Sequence, residues 1–316
     1  MSKKVSIIMG IYNCADTLPE AIDSIVNQTF SDWELILCDD GSRDDTVKIV
    51  EEYITQKNLV DSWTLCRNEK NLGYVHNFYK AISLCDTDIV FLSDQDDIWE
   101  KEKIEKMTAI MEQRNEIQLL SCKYGIIDAQ SVQQHSFVEP EAKETGEIRN
   151  IDVQTILKAY RWPGMLMCIR KDFFHAIYPF IEESKVAHDF MFAVCAADAN
   201  GFYEYDYVGA YHRRHDNNTA REEHRVFKLL NLEKKLSEIV HTKTLWEDFL
   251  SAKAPVGENT KEVMKERLAL QIKRKNALEQ KSLLQIISLY RQDKGKMLRL
   301  KSFICDLWLV LFGKNV

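Results

Sequence analysis

Three carboxylates crowd the four residues Asp94-Gln95-Asp96-Asp97, directly behind the apolar run Ile89-Val90-Phe91-Leu92-Ser93. Like charges this close oppose each other's ionisation: at an effective dielectric near 20, a pair about 4 Å apart repels by roughly 4 kcal/mol. A divalent cation turns that repulsion into attraction. Ligands drawn only from Asp favour a hard ion, Mg²⁺ or Mn²⁺, which keeps positions open for substrate phosphates. An acidic loop, or the first turn of a helix running on through Ile98-Trp99-Glu100-Lys101, accounts for the same residues. The run alone does not separate these readings.

The neighbouring elements decide what else gathers there. Val5 to Ile11 is apolar and β-branched, and after Tyr12-Asn13 comes Thr17-Leu18-Pro19-Glu20, a capping-box pattern with Pro in the first turn. Ala21, Ile22, Ile25 and Val26 continue at helical spacing. A second strand, Trp33 to Cys38, stops on Asp39-Asp40-Gly41-Ser42, where Ser42 with Asp45 reads as an N-cap for the helix carrying Val47, Ile49, Val50 and Tyr53. A third strand over 62–66, a helix over 74–84 and a fourth strand over 89–92 complete an alternation that predicts a parallel sheet covered by helices. Ligands of such sheets bind outside the carboxyl ends of the strands. Tyr12-Asn13, Asp39-Asp40, Asn71-Leu72-Gly73 and the Asp94–Asp97 run all follow strands, so they are expected to converge. Neither G-x-G-x-x-G after the first strand nor G-x-x-x-x-G-K-[ST] occurs. A nucleoside diphosphate bound here would need a metal to neutralise it.

The chain has 316 residues, 45% hydrophobic and 29% charged, enough for one large α/β domain with an appendage. Eight cysteines without a C-x-x-C pair fit a reducing compartment, and Met1-Ser2-Lys3-Lys4-Val5 enters a strand at once, so a cytoplasmic location is expected. Charge is uneven: residues 261–316 hold 13 Lys and Arg against 5 Asp and Glu, a balance of +8, which leaves −15 for residues 1–260. An acidic body argues against nucleic-acid binding. The apolar run Phe303 to Phe312 follows Lys294, Lys296, Arg299 and Lys301 and falls short of the ~20 residues that span a bilayer. It reads either as an interfacial helix making peripheral contact with the inner face of the cell membrane or as a surface packed on the body or on a second subunit of a homo-oligomer.

In this order the motifs Val5-Ser6-Ile7-Ile8 with Tyr12-Asn13, Gln28-Thr29-Phe30-Ser31-Asp32-Trp33-Glu34, Asp39-Asp40-Gly41-Ser42 with Asp45-Thr46, Asn71-Leu72-Gly73 with Asn77, and Asp94-Gln95-Asp96-Asp97-Ile98-Trp99 resemble the family 2 glycosyltransferases. These are inverting enzymes of the GT-A fold, and the likeness covers about residues 4–222. The D-Q-D-D-I-W form, with His188-Asp189 and Arg213-Arg214-His215, looks most like the bacterial rhamnosyltransferase-like subgroup. The resemblance implies a catalytic domain over 1–225 and a helical, basic region over 226–316. It implies a UDP- or dTDP-sugar donor, a glycan acceptor, in some relatives lipid-linked, and Mn²⁺ or Mg²⁺ as cofactor.

The resemblance also implies residue roles. Asp40 would accept from the N3–H of uracil or thymine, with Tyr12, Asn13, Asn71, Gly73, Asn77, Asp94 and Arg213 also on the donor side. Asp94, Asp96 and His215 would hold the metal. Asp189 would deprotonate the acceptor hydroxyl as it attacks the sugar. Trp162, Gly164 and His188 would line the acceptor side, Trp162 by stacking on a sugar ring. Structural readings stand beside each role: turn and cap for Asp39 and Asp40, helix cap for Asp189, packing for His188, a buried indole for Trp162, a solvated basic turn for 211–215. Outside this enzyme class, a metal-dependent nucleotidyltransferase and a catalytically silent sugar-nucleotide-binding module are the alternatives.

Overall fold

In the computed structural model, which describes residues 4–56, 62–134, 144–214, 231–293, 298 and 300–313, β1 (Val5–Ile11) leads into α1 (Leu18–Val26), β2 (Trp33–Asp39), α2 (Thr46–Gln56), β3 (Trp63–Arg67), α3 (Tyr74–Ser83) and β4 (Ile89–Ser93). Pairing of β1 with β2, β2 with β3 and β1 with β4 is parallel throughout, as the βα alternation predicts. Then come β5 (Ile98–Trp99), α4 (Lys103–Gln113), β6 (Leu119–Ile127), β7 (Gln133–Gln134), β8 (Ile148–Asn150), α5 (Val153–Lys158), a 3₁₀ turn over Gly164–Leu166, β9 (Met167–Arg170), α6 (Lys171–Ile181), α7 (His188–Asp198) and β10 (Phe202–Arg213). Strand order is β3-β2-β1-β4-β9-β6-β10-β5, with β9 antiparallel to both β4 and β6.

Two local expectations fail. Thr17 lies in the helical region and its side chain makes no cap bond, so the capping box does not form; Glu20 is used elsewhere. Ile98–Trp99 is not helical but a short strand antiparallel to β10. The cap of α2 also moves, from Ser42 to Asp44, whose Oδ1 takes the Thr46 N–H at 3.1 Å.

Alternation along β1 splits the core into two layers. Val5, Ile7, Met9 and Ile11 face a layer with α1, α4 and Val50 of α2, while Ile8 faces the layer of α3, α6 and α7. The remaining helices are α8 (Leu232–Ser251), α9 (Glu258–Glu279), α10 (Leu283–Asp293) and α11 (Leu300–Phe312). The division expected at 225/226 lies outside the described residues. Beyond it the chain is not a separate appendage throughout: Trp246, Phe249 and Met264 complete the α7 layer. Ile239, Ala277, Leu278, Ile286 and Leu309 form a small core of their own.

One buried ion pair orients the last helix. Arg274 Nε and Nη2 reach the two oxygens of Asp306 at 2.6 and 2.8 Å, and Tyr290 donates to Asp306 Oδ2 at 3.2 Å. A pair this buried contributes little net stability against an apolar substitute, but it fixes which face of α11 turns inward. All eight cysteines are free thiols.

Candidate active site

The carboxyl ends of β1 and β2 are tied together by turn chemistry. Asn13, left-handed at φ 46°, accepts from Arg43 N at 2.8 Å and donates its own N–H to Ser42 Oγ at 3.0 Å; Asn tolerates that conformation better than most residues. Asp39 is a turn residue, accepting from the backbone of Gly41 and Ser42. Asp40 is different. Its Oδ1 takes Asn68 Nδ2 at 2.8 Å and Leu72 N at 2.7 Å, and among the described residues Oδ2 takes only Gly73 N, at 2.9 Å. The carboxylate is buried, yet Oδ2 keeps acceptor capacity for one more N–H.

Gly73 fits because its φ of 78° brings its N–H to Asp40 without a Cβ to strain. Asn71 secures the same loop by donating to Asp40 O at 3.0 Å. Asn77 corrects the expectation placed on it. It is 2% exposed, donates to Cys38 O and accepts from Asn68, so both ends of its amide are spent on bracing the Asp40 loop.

Opposite, the acidic run is bolted to β1 and β10. Gln95 Oε1 accepts from Tyr12 N at 2.7 Å, leaving the Tyr12 ring 44% exposed above the turn. Asp97 points inward: its Oδ1 holds His212 Nδ1 at 3.1 Å and Arg213 N at 2.9 Å, and Oδ2 has no hydrogen-bond partner among the described residues. Burial opposes a charged His212 ring, but the bond to Asp97 and the fields of Asp97, Asp94 and Asp96 outweigh it and hold its pKa up at about 9. Asp94 behaves as crowding predicts. Burial, then the charges of Asp97 and Asp96, push its carboxyl well above the usual range, with His212 opposing. Below the run, fully buried Lys103 lies 3.4 Å from the Trp99 ring centre and donates to Met165 O; burial lowers its pKa to about 8.

Arg213 is the clearest correction. Expected to meet phosphate, its guanidinium is 3% exposed and committed: Nε to Asp96 O at 2.9 Å, Nη1 to Ser131 Oγ at 2.9 Å, Nη2 to Glu20 Oε2 at 2.5 Å. It clamps the acidic turn from behind. This is where Glu20 goes instead of the cap.

α7 begins at His188, which puts Asp189 in its first turn behind an Ala187 cap. Burial pushes the Asp189 carboxyl up to about 6, against the hydrogen bond from Phe190 N at 2.7 Å that favours the charged form; the neighbouring Tyr160 hydroxyl gives its proton to Trp162 O at 2.5 Å. Asp189 also adds to the field acting on Asp94 and on Tyr74, so the base candidate and the acidic run feel each other's charge. His188 is 5% exposed, stacks on Phe78 with ring centres 4.1 Å apart, and has no hydrogen-bond partner for either ring nitrogen among the described residues. Burial lowers its pKa to about 3, so it is neutral. Gly164 makes this possible, since a Cβ there would lie 2.8 Å from His188 Nε2.

Trp162 does not offer a face to a sugar. It is 1% exposed, packed edge-on to Phe202, with its indole N–H given to Glu204. His215 lies outside the described residues. Lys103 and Tyr160 lie in no motif, while Glu20 belongs to the expected capping box and His212 to the basic stretch 211–215, neither of which points to the partner found for it.

A metal is tested by the donor set. Among the described residues no group of three or more His, Cys, Asp or Glu side chains is placed to hold a metal ion. Asp94 and Asp96 are the two carboxylates of the run that would hold a dication, and oxygen donors of this kind suit a hard ion that takes its remaining ligands from water and phosphate.

Comparison with known proteins bears on the whole arrangement. The sequence profile of glycosyl transferase family 2 matches residues 6–174, more than half of the chain. EpsE of Bacillus subtilis (strain 168) is 36% identical over 125 residues, 40% of this chain and 44% of that protein. The Escherichia coli UDP-Glc:alpha-D-GlcNAc-diphosphoundecaprenol beta-1,3-glucosyltransferase WfgD is 33% identical over 137 residues, 43% of this chain and 51% of that one. The chain thus matches about half, or less, of these relatives' length. Among solved structures, S. aureus TarS 1-349 in complex with UDP-GlcNAc aligns with a TM-score of 0.59 at 18% identity, over 93% of this chain and 81% of that chain. The mannosyltransferase PcManGT from Pyrobaculum calidifontis, in complex with GDP-Man and Mn²⁺, gives 0.56 at 14% identity, over 100% and 89%. At such identities structural likeness speaks for the fold, which is GT-A as expected. Sequence match, strand order and the motifs at the strand ends agree: the chain belongs to glycosyl transferase family 2.

Proposed function

We propose that this protein is a metal-dependent inverting glycosyltransferase. It transfers a sugar from a UDP- or dTDP-activated donor, dTDP-rhamnose included, to a glycan acceptor in bacterial surface-polysaccharide synthesis. The observation that carries the reading is Asp189: a carboxyl in the first turn of α7, pushed up to about 6 by burial and near enough to the acidic run for its charge to act on Asp94. A base poised near the working pH is what abstraction of a sugar hydroxyl proton needs.

In this reading Asp40 Oδ2 accepts the base N3–H, and the exposed Tyr12 ring lies beside the nucleoside. Asp94 and Asp96 hold Mg²⁺ or Mn²⁺, which when bound supplies Lewis-acid stabilisation of the leaving nucleoside diphosphate. Asp189 takes the acceptor proton on the opposite face, oriented by its hydrogen bond from Phe190 N. His212, kept charged by Asp97, offsets part of the local negative charge before donor arrives. The UDP-Glc named for WfgD and the UDP-GlcNAc of the TarS complex support a uridine donor, and the diphosphoundecaprenol named for WfgD supports a lipid-linked acceptor.

Calorimetric titration with UDP and dTDP, with and without Mn²⁺, followed by transfer assays with radiolabelled donors, tests this. The expected result is Mn²⁺-dependent binding and turnover. Metal-dependent binding with neither transfer nor donor hydrolysis would instead identify a silent binding module.

A further inference from the structure

We propose that α11 docks this protein on an anionic lipid surface, through a face that the Arg274–Asp306 pair turns outward. Asp306 and Leu309, fully buried, define the inward side of α11. Leu300, Ile304, Trp308, Leu311 and Phe312 are 72, 59, 37, 57 and 64% exposed. At 3.6 residues per turn these five fall within an arc of roughly 120°. They form one stripe rather than scattered exposures.

The neighbouring helix extends the stripe. Tyr290 stacks on Phe303 with ring centres 4.4 Å apart, and Lys281 reaches Gly313 O at 2.9 Å, so α10 and α11 run antiparallel. Leu284, 80% exposed, therefore lies by the end of α11 that carries Leu311 and Phe312. Exposed Lys281 and Lys301 stand at opposite ends of this surface.

Charge selects the occupant. Residues 261–316 carry a balance of +8. A second copy meeting the same face would bring like charges together, whereas an anionic headgroup layer is attracted and shields them. No helix among the described residues is long and apolar enough to cross a bilayer, so the contact is interfacial: the stripe sinks to the acyl boundary while the lysines stay among headgroups. Docking does not depend on the proposed catalysis, but it would bring the site to a lipid-linked acceptor.

The test is flotation of the full chain with phosphatidylcholine vesicles, with and without phosphatidylglycerol. Wild type is expected to float with the anionic vesicles and much less with neutral ones. The double variant I304E/W308E should lose binding by about tenfold or more with its thermal melt retained, and K301E should lose part of it. Mn²⁺-dependent UDP binding should be unchanged in both, which separates this proposal from the fate of the catalytic reading. Three results would overturn it: wild type that does not float, a double variant that floats as well as wild type, or a wild-type dimer by sedimentation that the double variant turns into monomers, which would make the stripe a subunit interface.

Discussion

Replacing Asp189 by Asn should stabilise the protein while it removes activity. Burial raises the Asp189 pKa from 3.8 to about 6. The native state therefore holds this proton between about pH 4 and pH 6 where the unfolded chain has released it, so stability falls as pH rises through that window and the full penalty applies above it. Two units correspond to about 3 kcal/mol at 1.36 kcal/mol per unit. Asn removes the charge but also weakens the bond from Phe190 N, so a net gain of about 1–2 kcal/mol is expected at pH 8, roughly 1–3 °C in melting temperature for a chain this long. The gain should shrink to nothing near pH 4. Transfer should fall by about 10²–10⁴-fold, the usual share of a general base. Differential scanning calorimetry of both proteins from pH 4 to pH 8, with a radiolabelled-donor assay alongside, measures both halves. An Asn variant less stable than wild type at pH 8, or a difference that ignores pH, would refute the buried-charge reasoning; near-wild-type transfer would refute the base.

Gly164→Ala should cost about 1–3 kcal/mol, because the new Cβ would sit 2.8 Å from His188 Nε2. His188→Ala should relieve much of that, so chemical denaturation of the two singles and the double is expected to show a favourable coupling of about 1 kcal/mol or more; strict additivity would mean the imidazole is not held against Gly164. Asp306→Asn leaves Arg274 buried beside a neutral partner and should destabilise the C-terminal helices by about 3–5 kcal/mol, read as an earlier melting step; an unchanged melt would show that the pair does not orient α11.

The positions of Asp40, Asp94 and Asp189 were legible because each follows a strand or opens a helix whose period the sequence displays. Strand ends at Asp39 and Ser93 put their successors at one sheet edge whatever the loops do. Direction was harder. Asn77 and Arg213 sit in motifs that name ligand contacts, and both side chains turn inward, because a helix face and a strand face are chosen by partners far away in the chain. Trp162 answers to Glu204, 42 residues on. The failed capping box at Thr17 has the same origin: Glu20 gains more from a buried guanidinium than from a backbone N–H. Antiparallel insertion of β9 was equally hidden, since a short apolar run records no strand direction.

Arg213 ties three turns to one group: α1 through Glu20, the β4–β5 turn through Asp96 O, and the β6–β7 turn through Ala129 O and Ser131. Only a planar fork of donors can do this; the single ammonium of Lys cannot. In a mutational scan, position 213 should therefore score like a substrate-contact residue, Lys tolerated little better than Ala, with effects that fail to add to those at Glu20 and Ser131. The genetic footprint of the donor site is wider than the set of atoms a donor could touch.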